Sequence, residues 1–315
     1  MEENPINRNT SQRGTLDTRD GVTLVVEARG PADAPALLFA HGFGQSRHAW
    51  TRSAEVLAAE GWRTVTFDAR GHGDSGRPAD GHYQIEHFIE DLLLVAHSIG
   101  QPPVLVGASM GGLLGMAAAG EIRPDPFRAL VLVDITPRWE SAGVERMLDF
   151  MRAHPDGFAS LDDAAAEVAT YLPQRRRRKD RYELAQLLHR GVDGRLRWHW
   201  DPAMLDSVAH EGERHQQRLL EAARKIDVPV LLVSGGRSDI VSADTVSEFL
   251  QAVPHAEHVE VPLAGHTLAG DDNAAFTAAI APFLRTLAPA ATRPPLAREA
   301  AGGGWAQSFP ERQSP

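Results

Sequence analysis

The chain has 315 residues, 43% hydrophobic and 23% charged, enough to bury a large core in one or two domains. A formal net charge of −10 and an isoelectric point near 5.8 argue against nucleic acid or an anionic membrane as the main partner. With no cysteine in the chain, disulfides, thiol nucleophiles and thiolate metal sites are excluded.

Residues 1–14 read as a loose polar arm without an apolar leader, and cytoplasm is the default expectation. Residues 15–18 and 22–28 flank Asp20-Gly21, a hairpin signal. A first continuous apolar strand, 36–40, runs into His41-Gly42-Phe43-Gly44. Helical spacing over 53–60 is closed by Gly61 and followed by a strand at 64–67. A helix at 85–99, a strand at 104–106, a helix at 110–122 and a strand at 129–133 continue the alternation. Such alternation builds βαβ units and a mostly parallel sheet covered on both faces. No apolar run reaches membrane-spanning length.

After Asp134 the rhythm breaks. Residues 137–222 carry helical patterns at 142–153, 161–171, 179–190 and 206–223, with no convincing buried strand. A strand at 228–233, a helix at 243–252, a strand at 258–261 and a helix at 273–287 then resume the α/β pattern. The expected organisation is an α/β core from 15–136 and 223–288, an inserted helical cap from 137–222, and a disordered Pro/Ala/Gly-rich tail from 289–315. Trp305 is the one hint of docking in that tail.

The chemical signal lies in Gly107-Ala108-Ser109-Met110-Gly111, a G-x-S-x-G string between a short apolar strand and an alanine-rich helix. A serine on so tight a turn needs small neighbours two before and two after, and Gly107 and Gly111 supply them. Ser109 then sits at a helix N-terminus, where free amides favour a developing negative charge. A serine hydroxyl needs a histidine base and a carboxylate to orient that histidine. Of fourteen histidines, His266 follows the last strand, at the carboxyl edge of the sheet where ligands gather. Asp239 follows the strand before it, and the order Ser109, Asp239, His266 suits an elbow serine. Asp134, at the end of the strand 129–133, is the rival for the acid, read otherwise as an acceptor behind the triad or an anchor at the cap hinge. Backbone amides of Met110 and Phe43 are the candidate oxyanion donors, and His41 is read as a side chain bonding its loop together.

These pieces, with Asp68-Ala69-Arg70-Gly71-His72-Gly73-Asp74-Ser75-Gly76, resemble the α/β-hydrolase superfamily, on the serine-nucleophile branch with a helical cap. The resemblance spans residues 15–288 and implies an α/β-hydrolase fold: a mostly parallel eight-stranded sheet with helices on both faces and an inserted cap. It places nucleophile, acid and base on Ser109, Asp239 and His266, and the oxyanion amides on Phe43 and Met110. It implies a structural turn at 71–76 near the site entrance. Dehalogenases and epoxide hydrolases of this fold carry aspartate at the elbow, so Ser109 implies an acyl-enzyme and a substrate with a carbonyl.

A cofactor-free serine hydrolase acting on small to medium apolar carboxylic esters is the leading expectation. A lactonase, a carbon–carbon bond hydrolase or a non-catalytic ligand binder of the same fold are the alternatives. Trp139, Met147, Trp198 and Trp200 are candidate pocket walls within the cap. The basic run 175–179 reads as a solvated helix start or an anion dock. No metal is expected: His210 and His215 are five apart and no His-Glu-x-x-His occurs. The Gly71-x-Gly73-x-x-Gly76 string meets Arg77-Pro78, which would break a nucleotide-binding helix. The expected partner is a small-molecule ester, with neither nucleic acid nor membrane.

Overall fold

A computed structural model describes residues 11–171, 181–266 and 273–287. The basic run 175–179, the tail with Trp305, and the first ten residues of the arm lie outside them. Eight strands form one sheet: β1 (Gln12–Asp17), β2 (Thr23–Arg29), β3 (Ala36–Ala40), β4 (Arg63–Phe67), β5 (Val104–Ala108), β6 (Ala129–Val133), β9 (Val230–Gly235) and β10 (Glu257–Val261). Their order is β1-β2-β4-β3-β5-β6-β9-β10. β2 is antiparallel to β1 and β4, and every later neighbour is parallel. This is the α/β-hydrolase architecture.

The central strands are apolar throughout because both faces are covered. Leu38, Leu105, Leu130 and Leu132 point into a core closed by α2 (Ile85–Ser98) and α3 (Met110–Glu121). Their neighbours Leu37, Phe39, Val104, Val106, Val131 and Val133 face the opposite core, with Trp50 just before α1 (Thr51–Ala59) and Phe276 and Ile280 of the helix Asn273–Leu287. Each such side chain contributes about 1.5–3 kcal/mol on burial.

The arm is shorter than expected, since residues 12–14 already pair with 26–28 and extend the hairpin edge. Between β6 and β9 lie α4 (Ser141–Arg152), α5 (Leu161–Tyr171), the short α6 (Arg181–Ala185), the hairpin β7 (Leu188–Arg190) and β8 (Leu196–Trp198), and α7 (Met204–Ala223). The helix expected over 179–190 therefore ends early. Leu196 and Trp198 turn inward on either side of the outward Arg197, a strand alternation, and Gly194 takes φ +79° in the turn. The Asp193 carboxylate holds Arg197 by two hydrogen bonds of 2.8 and 2.7 Å across that turn. The end of α7 lies on α3, where a Cβ on Gly120 would stand 2.2 Å from Ala222 O.

Candidate active site

Ser109 links β5 to α3 with φ +46° and ψ −115°, a conformation costing an L-residue about 1–3 kcal/mol. Its amide donates to Val133 O at 3.1 Å, tying the turn to the neighbouring strand. The flanking glycines are sterically required: a Cβ on Gly107 would come 2.6 Å from Gly111 C, and one on Gly111 would come 2.4 Å from Ala40 O.

His266, past the end of β10, accepts from the Ser109 hydroxyl at Nε2 (3.2 Å). Its Nδ1–H donates to Asp134 Oδ2 at 2.8 Å, which sets the tautomer that leaves Nε2 as acceptor. Asp134 is fully buried, so its charge depends on donors. It has three: His266, the Gly235 N–H on Oδ1 at 2.7 Å, and the Ser238 hydroxyl on Oδ2 at 2.5 Å.

The carboxylate on His266 is thus Asp134, and the expectation of Asp239 is corrected. Asp134 ends β6 with a left-handed φ of +50°, and its own amide donates to Val233 O at 2.7 Å. That bend sets its side chain under the loop that follows β9. Asp239 leaves the same loop on its other side, where it pairs with Arg146 of α4. Ser238 between them accepts from the amides of Ile240 and Val241 (3.2 and 3.1 Å), which directs its proton onto Asp134. Ser238 was not singled out from the sequence, although it adjoins Asp239.

The loop after β3 folds back beside Ser109. Gly42 N–H donates to the Gln45 side chain (3.0 Å), Gln45 N–H to Gly42 O (3.1 Å) and Gly44 N–H to His72 Nε2 (3.1 Å). Among the described residues the Phe43 amide is left without such a partner, as is that of Met110 at the start of α3. A Cβ on Gly42 would lie 3.3 Å from Ser109 Cβ, so the loop comes as near as glycine permits. His41 donates from Nδ1 to Gly42 O (2.8 Å) and accepts from Ala69 N–H (3.0 Å), and so fastens the loop.

Residues 71–76 close on themselves through Gly71 N–H to Gly76 O (2.8 Å), and Gly73 N–H donates to His199 Nδ1 at 2.9 Å. Nothing local in the sequence marked His72 and His199 for this bracing, because each partner is far away in the chain. Burial lowers the pKa of His41, drives that of His72 well below its ordinary value, and takes His199 down to about 3.

Two cavities meet at Ser109. The larger, about 520 Å³, is bordered by His266, Gln45, Phe150, Trp198 and Trp200. The smaller, about 160 Å³, is bordered by Met110, Leu113, Trp139, Val144 and Leu219, and Met147 borders both. The four pocket candidates Trp139, Met147, Trp198 and Trp200 all line this space. Among the described residues no three His, Asp or Glu side chains gather as metal ligands, and no helix is long and apolar enough to cross a membrane.

The family model described as alpha/beta hydrolase fold matches residues 35–272. A 3-hydroxybutyrate-oligomer hydrolase of Cupriavidus necator is 31% identical over 254 residues, 75% of this chain and 84% of that one. An sn-1-specific diacylglycerol lipase of Mus musculus is 30% identical over 275 residues, 81% of this chain and 82% of the other. The crystal structure of E-2-(acetamidomethylene)succinate hydrolase superposes with a TM-score of 0.75 at 25% identity, covering 87% of this chain and 100% of that one. The chain belongs to the α/β-hydrolase family. Within it, similarity to esterases, lipases and related hydrolases identifies a hydrolase.

Proposed function

We propose that the protein is a serine esterase that cleaves carboxylic esters of small to medium apolar substrates through an acyl-enzyme. The observation that carries this reading is the unbroken hydrogen-bonded line from Ser109 Oγ through His266 to Asp134. Ser109 Oγ attacks the ester carbonyl as its proton passes to His266 Nε2. The carbonyl oxygen becomes an oxyanion held by the Phe43 and Met110 amides. As the tetrahedral intermediate collapses, the carbon–oxygen bond to the alcohol breaks, and His266 returns the proton to that oxygen. A water, deprotonated by His266, then releases the acid and restores Ser109. Asp134 holds the imidazole and stabilises its cation.

Residues 137–222 act in this reading as a cap that roofs the site, supported by Met147 and Phe150 of α4 and Trp198 of β8 on the cavity wall. Fluorophosphonate should label Ser109 covalently, and Ser109→Ala should lose both labelling and turnover of p-nitrophenyl butanoate. Turnover that survives the substitution would refute the nucleophile, and folded protein that resists labelling would favour a ligand-binding role.

A further inference from the structure

The two cavities that share Ser109 differ in one decisive respect: His266 borders only the larger. In ester cleavage the protonated imidazole must deliver its proton to the alcohol oxygen. The alcohol therefore has to depart on the side His266 occupies. Phe43, an oxyanion donor in the proposed mechanism, borders both spaces, and Met110 borders only the smaller. With the oxyanion held between those amides and the alcohol directed to His266, the acyl chain is left the smaller cavity.

We infer that this enzyme takes esters of short apolar acids with large alcohols: the acyl group enters the 160 Å³ cavity and the alcohol fills the 520 Å³ one. The assignment rests on the acyl-enzyme reading above and sets its substrate class. The linings agree with it. Among the described residues bordering the smaller space, all but Ser109, Tyr83 and His215 are apolar, and the Tyr83 hydroxyl is already engaged by Asp201 at 2.7 Å. A dry apolar cavity of about 150 Å³ accommodates a benzene, six carbons, so chains to about hexanoyl should fit and longer ones should not. The larger space runs from the aromatic faces of Phe150, Tyr171, Trp198 and Trp200 out to Arg52 and Glu55, and suits an extended alcohol with an apolar body and a polar end.

The test compares two ester series on the full chain. With p-nitrophenol as constant alcohol, kcat/KM should hold or rise from acetate to hexanoate and fall at least tenfold by decanoate. With acetate as constant acid, phenyl, 2-naphthyl and 4-biphenylyl esters, whose alcohols have similar acidity, should be hydrolysed within about threefold of one another. Val144→Phe, which fills the smaller cavity from α4, should lower the hexanoate-to-acetate ratio at least tenfold. Val168→Trp, on the wall of the larger cavity, should instead lower the biphenylyl-to-phenyl ratio. Reversed selectivities, or a long-acyl preference in the unaltered enzyme, would overturn the partition. The unaltered enzyme decides even if a variant fails to fold. Fluorophosphonate labelling separates the two levels: labelled protein with reversed selectivities overturns the partition alone, and unlabelled folded protein overturns the acyl-enzyme as well.

Discussion

Asp134 and His266 meet at 2.8 Å although they lie 132 residues apart, on loops that follow β6 and β10. Asp239, on the loop between them in sequence, is turned away to Arg146. The two aspartates should therefore respond differently to the same change. Asp134→Asn should cut kcat by about 10³–10⁴-fold, since an amide cannot stabilise the imidazolium or hold its tautomer. Asp239→Asn should stay within about fivefold of the parent enzyme, because it loses only a half-exposed ion pair. Steady-state kinetics on p-nitrophenyl butanoate checks both, and the reverse ranking would return the acid to Asp239.

Ser238 supplies one of three hydrogen bonds to the buried Asp134 carboxylate. A hydrogen bond to a charged group is worth about 1.5–3 kcal/mol. Ser238→Ala should lower kcat roughly tenfold with KM little changed, and Ser238→Thr should recover most of the loss. Equal damage from both would mean that loop packing, and not the hydroxyl, is what counts.

Ser109 stores backbone strain at φ +46°. Glycine adopts such angles without a Cβ penalty, while its extra freedom in the unfolded chain costs about 0.5–1 kcal/mol. Ser109→Gly should accordingly melt higher than Ser109→Ala, both being inactive. Thermal denaturation of the two variants reads the difference, and a lower melting point for glycine would count against strain at the elbow.

Acid should loosen the fold through the buried histidines. His41, His72 and His199 have folded-state pKa values below their ordinary 6.5, chiefly through burial, with His199 at about 3. The unfolded chain then binds more protons than the folded one in this range, so stability rises with pH. Their contribution is complete above pH 6.5 and is lost as pH falls from there toward 3. Each such group adds a slope of up to about 1.4 kcal/mol per pH unit. Urea titrations between pH 7.5 and 5 should show the decline, and His199→Gln, which keeps an acceptor for Gly73, should flatten it. An identical slope in that variant would remove His199 from the explanation.

Local pattern carried much of this protein. Continuous apolar runs marked the central strands, because a strand covered on both faces cannot alternate. The glycines around Ser109 marked the elbow, because no larger residue clears Ala40 and Gly111 there. Position after the last strand marked His266. Other features depend on partners remote in the chain. The β7 strand was hidden at the end of a helical periodicity, and only three residues on each side pair to form the β7–β8 hairpin. The bracing of the 41–45 loop by His72, and of the 71–76 loop by His199, joins segments that share no motif.

By itself, then, the sequence determined the sheet, the elbow serine and the histidine, because each is written in neighbouring residues. Which aspartate serves that histidine was decided only in three dimensions. Both carboxylates follow strands, β6 and β9, that lie side by side and end at the same edge of the sheet, so order along the chain does not separate them. The left-handed bend at Asp134, the donors from Gly235 and Ser238, and the Arg146 cation drawing Asp239 aside do so, and all of them arise from chain folding.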